Sequence, residues 1–278
     1  MDMTQAEATG HPQIMDRCPP ETIEGKESAA GQLFHASSCS LLDLFCGAGG
    51  AGEGYQRAGF DVTGVDIKPM LNNPHRFIRG DALEYLEAHG HEYDAIHASP
   101  PCQRYSTATR EAEKHPDLYV KTRDILSGFD APWVIENVIG APYSHGVKLC
   151  GTMFGLDEDG EWIQRHRNFE TSWLMFQPEC NHLKTQRAIT ITGHCFLTVT
   201  KDCARHSRQG SFDLCQRLMG IDWMSRKELV QAIPPAYTEF IGRDLMRILK
   251  AKRRQSSTQA TMTRAPRIDY ERLKQRRG

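Results

Sequence analysis

The sequence predicts an α/β protein built around a mostly parallel sheet. Three observations carry that prediction. Short apolar runs recur at residues 40–45, 62–67, 76–79, 94–98 and 133–138, each about the length of a buried strand. Segments of helical composition lie between several of them, as crossovers between parallel strands require. A glycine-rich turn, Cys46-Gly47-Ala48-Gly49-Gly50-Ala51-Gly52, leads from the first run into the first helical segment.

The bulk numbers agree with an ordinary soluble domain. The chain has 278 residues, 25% charged and 39% hydrophobic, which excludes fibrous and low-complexity classes. No window approaches the roughly 18 uninterrupted apolar residues of a membrane span, so no membrane partner is expected. The start lacks a basic stretch followed by an apolar core and reads as carrying no secretory signal. Nine cysteines at irregular spacing read as reduced thiols in the cytoplasm. The net charge of −1 hides an asymmetry. From residue 243 onward there are twelve Lys or Arg against three Asp or Glu, which leaves the preceding chain near −10. A basic end on an acidic body suggests contact with a polyanion.

Residues 1–38 mix Gly, Pro, Glu, Ser and Ala without periodicity and read as a disordered leader. Residues 40–45 are the first strand. After the glycine turn, residues 53–58 are helical, Gly59 stops them, and residues 62–67 form the second strand. This is a βαβ unit with its ligand crevice at the strand ends. Glycines allow backbone to approach a ligand, and a helix N-terminus offers free N–H donors. Asp66, ending the second strand, can accept hydrogen bonds from two ribose hydroxyls. Gly47, Gly49 and Gly52 also satisfy G-x-G-x-x-G, with Asp66 19 residues beyond Gly47, so a dinucleotide site competes here.

Asp81 follows the strand at 76–79 and can accept from an adenine amino group or cap the helix that follows. The strand at 94–98 ends in Ser99-Pro100-Pro101-Cys102-Gln103. Two prolines stiffen this loop, and a cysteine held on it is a candidate nucleophile, or a structural thiol. Residues 104–115 have surface-loop composition, and 117–129 form an amphipathic helix. The strand at 133–138 closes on Glu136, Asn137 and Val138. Burying the glutamate and the asparagine costs about 1–3 kcal/mol each without partners, so a site is expected there.

Residues 162–169 read as one strand, which would turn Arg165 and Arg167 to one face. Residues 171–210 are polar and irregular, with one strand-like patch at 188–192. Cys180-x-His182 and Cys203-x2-His206 could be two halves of a zinc site, although the spacing matches no strong template. No metal is assigned to the catalytic residues. Residues 214–219, 226–232 and 238–249 read as helices, and residues 253–264 as disordered.

Taken in order, these features resemble the C5-cytosine DNA methyltransferase family over residues 40–250. Asp43-Leu44-Phe45-Cys46-Gly47-Ala48-Gly49-Gly50 looks like its S-adenosylmethionine loop. Asp66 with Ile67 and Asp81 with Ala82 fall where the family binds ribose and adenine, and Pro101 lines the cofactor. Ser99 to Gln103 resembles the catalytic-cysteine motif, Glu136-Asn137-Val138 the acidic motif, and Arg165-x-Arg167 the arginine pair. Gln231-Ala232-Ile233-Pro234-Pro235 with Ile241-Gly242 resembles the last motif. Two positions depart from the pattern: Ile163 stands where a glutamine is usual, and Val230-Gln231 replaces Gly-Asn.

The resemblance implies a Rossmann-like S-adenosylmethionine-dependent fold acting on double-stranded DNA as a monomer. Cys102 would add to C6 of a flipped cytosine, protonated Glu136 would bond N3, and Arg167, supported by Arg165, would hold O2. Pro100, Gln103, Ser106, Asn137 and Val138 would contact the substrate. It also implies a division into a catalytic and cofactor-binding domain at 39–170, a small target-recognition region at 171–215, returning helices at 216–250 and a basic tail at 251–278. A tRNA cytosine methyltransferase and a silent DNA-binding paralogue are the competing readings. A dehydrogenase explains neither Cys102 nor Glu136.

Overall fold

Strands covered on both faces need no polar alternation, and the apolar runs of the sequence form the middle of one sheet. A computed structural model describes residues 22–23, 38–106, 109–182, 187–191 and 211–264, with side chains for 38–106, 109–182, 188–191 and 211–255. The strands are β1 (Thr22–Ile23), β2 (Cys39–Leu44), β3 (Phe60–Asp66), β4 (Arg76–Arg79), β5 (Ala95–Ala98), β6 (Trp133–Asn137), β7 (Gly146–Leu149), β8 (Asp157–Glu158), β9 (Glu161–Ile163), β10 (Arg167–Thr171) and β11 (Arg187–Ile189). The helices are α1 (Gly50–Arg57), α2 (Ala82–His89), α3 (Leu118–Leu126), α4 (Phe212–Met219), α5 (Arg226–Leu229) and α6 (Pro235–Arg264).

The large sheet runs β1-β4-β3-β2-β5-β6-β10-β7, and the five strands from β4 to β6 are parallel. Register aligns one rung across them: Ile78, Val65, Leu44, Ala98 and Ile135 are successive partners. Everything just past that rung emerges at one edge of the sheet. β10 is antiparallel to β6 and β7, so it is the start of β10 that reaches this edge.

Leu41, Tyr55, Phe60, Phe169, Tyr237 and Ile241 fill one face of the sheet. Leu42, Leu44, Ile96, Tyr119, Leu126 and Ile135 fill the other. A smaller sheet, β11-β9-β8, packs Ile163 and Ile189 against Leu218 and Met219 of α4. α1 and α6 touch backbone to backbone. A Cβ on Gly54 would lie 2.1 Å from both the Pro235 carbonyl and the Thr238 hydroxyl, so the crossing requires glycine. Among the described residues, no helix is long and apolar enough to cross a membrane.

Three elements differ from the sequence reading. Residues 162–169 form two strands rather than one, and Arg165 lies in the link between β9 and β10. α6 does not stop near Leu249 but runs to Arg264. Between Arg243 and Arg264 there is neither Gly nor Pro, and Arg253 is anchored to Asp94 at 2.9 Å. Of the expected leader, Thr22 and Ile23 form a short strand antiparallel to β4.

Candidate active site

The glycine turn follows β2 and is clasped from two sides. Gly49 takes a left-handed conformation (φ 83°) as it caps α1, which an L side chain rarely adopts. Asn73 donates to the Gly47 carbonyl at 3.0 Å, and His75 Nε2 lies 3.3 Å from the Gly49 carbonyl. On the other side Trp223 donates to the Ala48 carbonyl at 2.8 Å. Asp66, ending β3, accepts from the Gly47 N–H at 3.1 Å and from the Lys68 N–H at 3.0 Å, which ties the two strand ends together. Beside it, Ile67 is 63% exposed and offers an apolar platform. Asp81 accepts from the N–H groups of Leu83 and Glu84 and caps α2, whose first residue, Ala82, is buried. Cys46 is buried, within 3.5 Å of the Asn73 amide.

Asp43 is buried on β2, and neither of its carboxylate oxygens has a hydrogen-bond partner. Burial, reinforced by the Asp66 charge, pushes its carboxyl up to about 8. An orphaned buried carboxylate beside a glycine turn suits a ligand that brings positive charge or donors. The residues present therefore fit a cationic nucleoside cofactor.

Ser99 continues the β2–β5 ladder by donating to the Leu44 carbonyl at 3.0 Å, which fixes where the Pro-Pro-Cys loop departs. Asn137 on β6 donates to the Pro100 carbonyl at 2.9 Å and accepts from the Val138 N–H. Its side chain is thus used inside the protein, as a staple holding the Cys102 loop rather than as a free substrate contact. Pro100 is buried, while Pro101 and Gln103 are exposed and Val138 is half-buried. The N–H groups of Tyr105 and Ser106 both donate to the Cys102 carbonyl. Cys102 itself is half-buried. Burial and the Glu136 charge push its thiol up, while Arg167 and Arg165 pull it down.

Glu136 is buried and faces Arg167, with Nε to Oε1 at 3.0 Å. β10 pairs Phe169 with Glu136, so Arg167 reaches the same edge from the neighbouring strand. Burial raises the Glu136 carboxyl despite both arginines and a hydrogen bond from Ser99. Behind Ser99 lie two groups the sequence reading did not single out. Ser99 Oγ is 2.9 Å from His97 Nε2, and His97 Nδ1 is 3.0 Å from the Tyr55 hydroxyl. Burial pushes His97 down to about 3, so its ring is neutral. The two ring nitrogens of His97 are thus each held by a hydroxyl, Tyr55 on one side and Ser99 on the other. The signal available in the sequence was a histidine inside an otherwise apolar strand.

The arginine pair divides its work, contrary to the expectation of one shared face. Arg165 is buried and donates to the carbonyls of Ile191 at 2.8 Å and Val230 at 2.9 Å. It clamps the small sheet and α5 to the site, whereas Arg167 engages Glu136. Of the expected zinc halves, Cys180 and His182 lie together, with Sγ to Nε2 at 2.8 Å, while Cys203 and His206 fall outside the described residues.

Residues 39–143, from β2 past the end of β6, match the family described as C-5 cytosine-specific DNA methylase. The matched span holds all five parallel strands of the large sheet. Among curated proteins, Type II methyltransferase M.AgeI of Thalassovita gelatinovora is 33% identical over 119 residues, 36% of this chain and 28% of that protein. Type II methyltransferase M.XorII of Xanthomonas oryzae pv. oryzae is 33% identical over 118 residues, with the same shares. The match thus spans little more than a quarter of either relative's length. In fold, the chain is similar to a structure from E. coli described as a DNA modification methyltransferase encoded within a prophage. That similarity has a TM-score of 0.50 and 15% identity, covering 77% of this chain and all of that one. The matched span contains Asp43, Asp66, Cys102 and Glu136, whereas Arg165 and Arg167 follow it.

Proposed function

We propose that the protein is an S-adenosylmethionine-dependent DNA (cytosine-5-)-methyltransferase that modifies a cytosine turned out of duplex DNA. The observation that carries this reading is the meeting of Cys102, Glu136 and Arg167 at one sheet edge, beside a glycine turn with an orphaned carboxylate. The family description favours DNA over tRNA, and the Type II names of the two relatives favour a restriction-modification setting.

The chemistry follows from what each residue can do. C5 of cytosine is a weak nucleophile until something adds at C6. Cys102 loses its proton and its sulfur bonds C6, which moves electron density onto C5 and toward N3. Glu136, whose carboxyl burial shifts toward the protonated form, donates to N3 as that acid, and Arg167 holds O2 while lying against the carboxyl. S-adenosylmethionine, when bound, supplies an electrophilic sulfonium methyl group. Asp66 and Asp81 would accept from ribose and adenine, and Asp43 would face the positive charge. Removal of the C5 proton by a base then expels the Cys102 sulfur and restores the ring. The Tyr55-His97-Ser99 chain orients the Glu136 carboxyl from behind, and Asn137 keeps the sulfur in place, where a small misplacement is costly.

Cys102→Ala tests the reading. The variant should fold as the wild type does and lose methyl transfer to duplex DNA by about 10³-fold or more. Wild type should form a covalent complex with duplex DNA carrying 5-fluorocytosine, and methyl incorporation into tRNA should stay at background. Retained transfer in the alanine variant would sink the covalent mechanism. Preferential labelling of tRNA would sink the substrate assignment.

A further inference from the structure

The antiparallel pairing of β10 with β7 sets up a second constellation, separate from the cytosine site. Leu149 is the partner of Arg167, so continuing the register puts Cys150 opposite His166. The chain after β10 then returns along the free side of β7, where the Lys148 N–H donates to the Gln177 side chain. That return delivers Cys180 and His182 to the same spot. The two sulfurs and one nitrogen from each imidazole all lie within 4.8 Å of one another. Cys150 Sγ is 3.2 Å from His182 Nε2, Cys180 Sγ is 2.8 Å from it, and Cys180 Sγ is 3.5 Å from His166 Nε2.

We propose that Cys150, His166, Cys180 and His182 bind one zinc ion as a tetrahedral structural site, fixing the link that carries Arg165 and Arg167. With Zn–S near 2.3 Å and Zn–N near 2.0–2.1 Å, tetrahedral geometry sets ligand–ligand edges of about 3.3–3.8 Å. Two of the observed edges, 3.2 and 3.5 Å, are at or near that range. The 2.8 Å edge needs His182 to retreat by under about an ångström, and His182 is exposed. Two thiolates and two neutral imidazoles make a closed ligand set of the kind structural zinc takes.

Surrounding groups brace the ligands. Thr152 Oγ1 lies 3.6 Å from both sulfurs, so its hydroxyl can donate to either thiolate. The Trp162 ring stacks on His182 with centroids 4.5 Å apart, and the His166 and His182 rings meet edge-on at 5.0 Å. Cys180 and His182 are exposed, which gives a metal a way in. The charges of two thiolates cancel those of the ion. A filled site therefore adds no net charge beside the Arg167–Glu136 pair.

The consequence is positional. His166 sits between Arg165, which clamps the small sheet, and Arg167, which holds Glu136. Zinc at His166 would join the start of the proposed target-recognition region to the arginine link at one point.

The test uses the full chain. Protein prepared without chelator should contain one zinc per chain by elemental analysis. Replacement by Co(II) should give the visible bands and sulfur charge-transfer absorption of a tetrahedral two-thiolate site. Cys180→Ser and His182→Gln should lose the metal while keeping the wild-type far-ultraviolet dichroism, and chelation should lower the wild-type melting temperature. Folded wild type without zinc and without a Co(II) spectrum would overturn the proposal. So would two thiols missing from a denatured thiol count in metal-free protein, because that indicates a Cys150–Cys180 disulfide. Loss of metal in Cys203→Ser, with retention in Cys150→Ser, would overturn the ligand assignment.

Discussion

At the scale of single residues, the buried Asp43 carboxyl gives the fold a pH dependence of its own. That carboxyl is neutral in both folded and unfolded chains below its ordinary value of 3.8. As pH climbs from there toward about 8, the unfolded chain ionises and the folded one does not. The unfolded state then binds fewer protons, so the folded state loses stability across that window, by an amount on the order of a few kcal/mol. Glu136 pulls in the same direction and the paired Asp94 in the opposite one, so a difference measurement is needed. Denaturant unfolding at pH 5, 6, 7 and 8 should show wild type weakening relative to Asp43→Asn as pH rises. A constant difference between the two would mean that Asp43 is already ionised in the fold. Cys102 and Glu136 were legible in the sequence because their residue types are costly or reactive at strand ends. The task of Asn137 was not legible, since its partner Pro100 is 37 positions away. Nor was that of Arg165, whose two carbonyl partners belong to a different sheet and a different helix region.

At the scale of elements, the decisive contact is the crossing of α1 on α6. Adding one methyl group at Gly54 drives it into the Pro235 carbonyl and the Thr238 hydroxyl, and both are fixed by helix geometry. Gly54→Ala should therefore destabilise by about 2–3 kcal/mol, a fall of roughly 5–10 °C in melting temperature. The same change at Gly80 meets nothing within 4 Å and should be neutral or stabilising by up to about 1 kcal/mol. Equal shifts in the two variants by calorimetry would contradict the crossing. The central strands were readable because they are apolar on both faces. The break between β9 and β10 was not, because Gln164, Arg165 and His166 look like any exposed strand. Their neighbours Ile189, Ile191 and Val230, which determine the break, are distant in sequence. The length of α6 past Leu249 was hidden for a related reason: an anchoring ion pair to Asp94 leaves no apolar stripe to find.

At the scale of the whole molecule, the charge asymmetry was legible but its placement was not. Composition alone puts the basic end of the chain against DNA. Yet Arg253 pairs with Asp94, which precedes β5, and Lys250 and Arg253 both influence Cys39 at the start of β2. This is the edge opposite the one from which Cys102 and Glu136 emerge. β2 spans six residues, so at about 3.3 Å per residue the two edges are roughly 20 Å apart. That is about two and a half Debye lengths at physiological salt, too far for Lys250 to act on a duplex held at the cytosine site. Arg110, by contrast, is exposed in the segment that leaves the Cys102 loop. A phosphate contact contributes about 0.9 to the slope of log affinity against log salt. Arg110→Ala should flatten that slope by about this amount, whereas Lys250→Ala should leave it unchanged. Titrating both variants with one duplex from low to physiological salt separates the cases. A flatter slope in Lys250→Ala would mean that DNA wraps past the sheet to reach α6, and that the basic helix shares in holding the duplex against the catalytic edge.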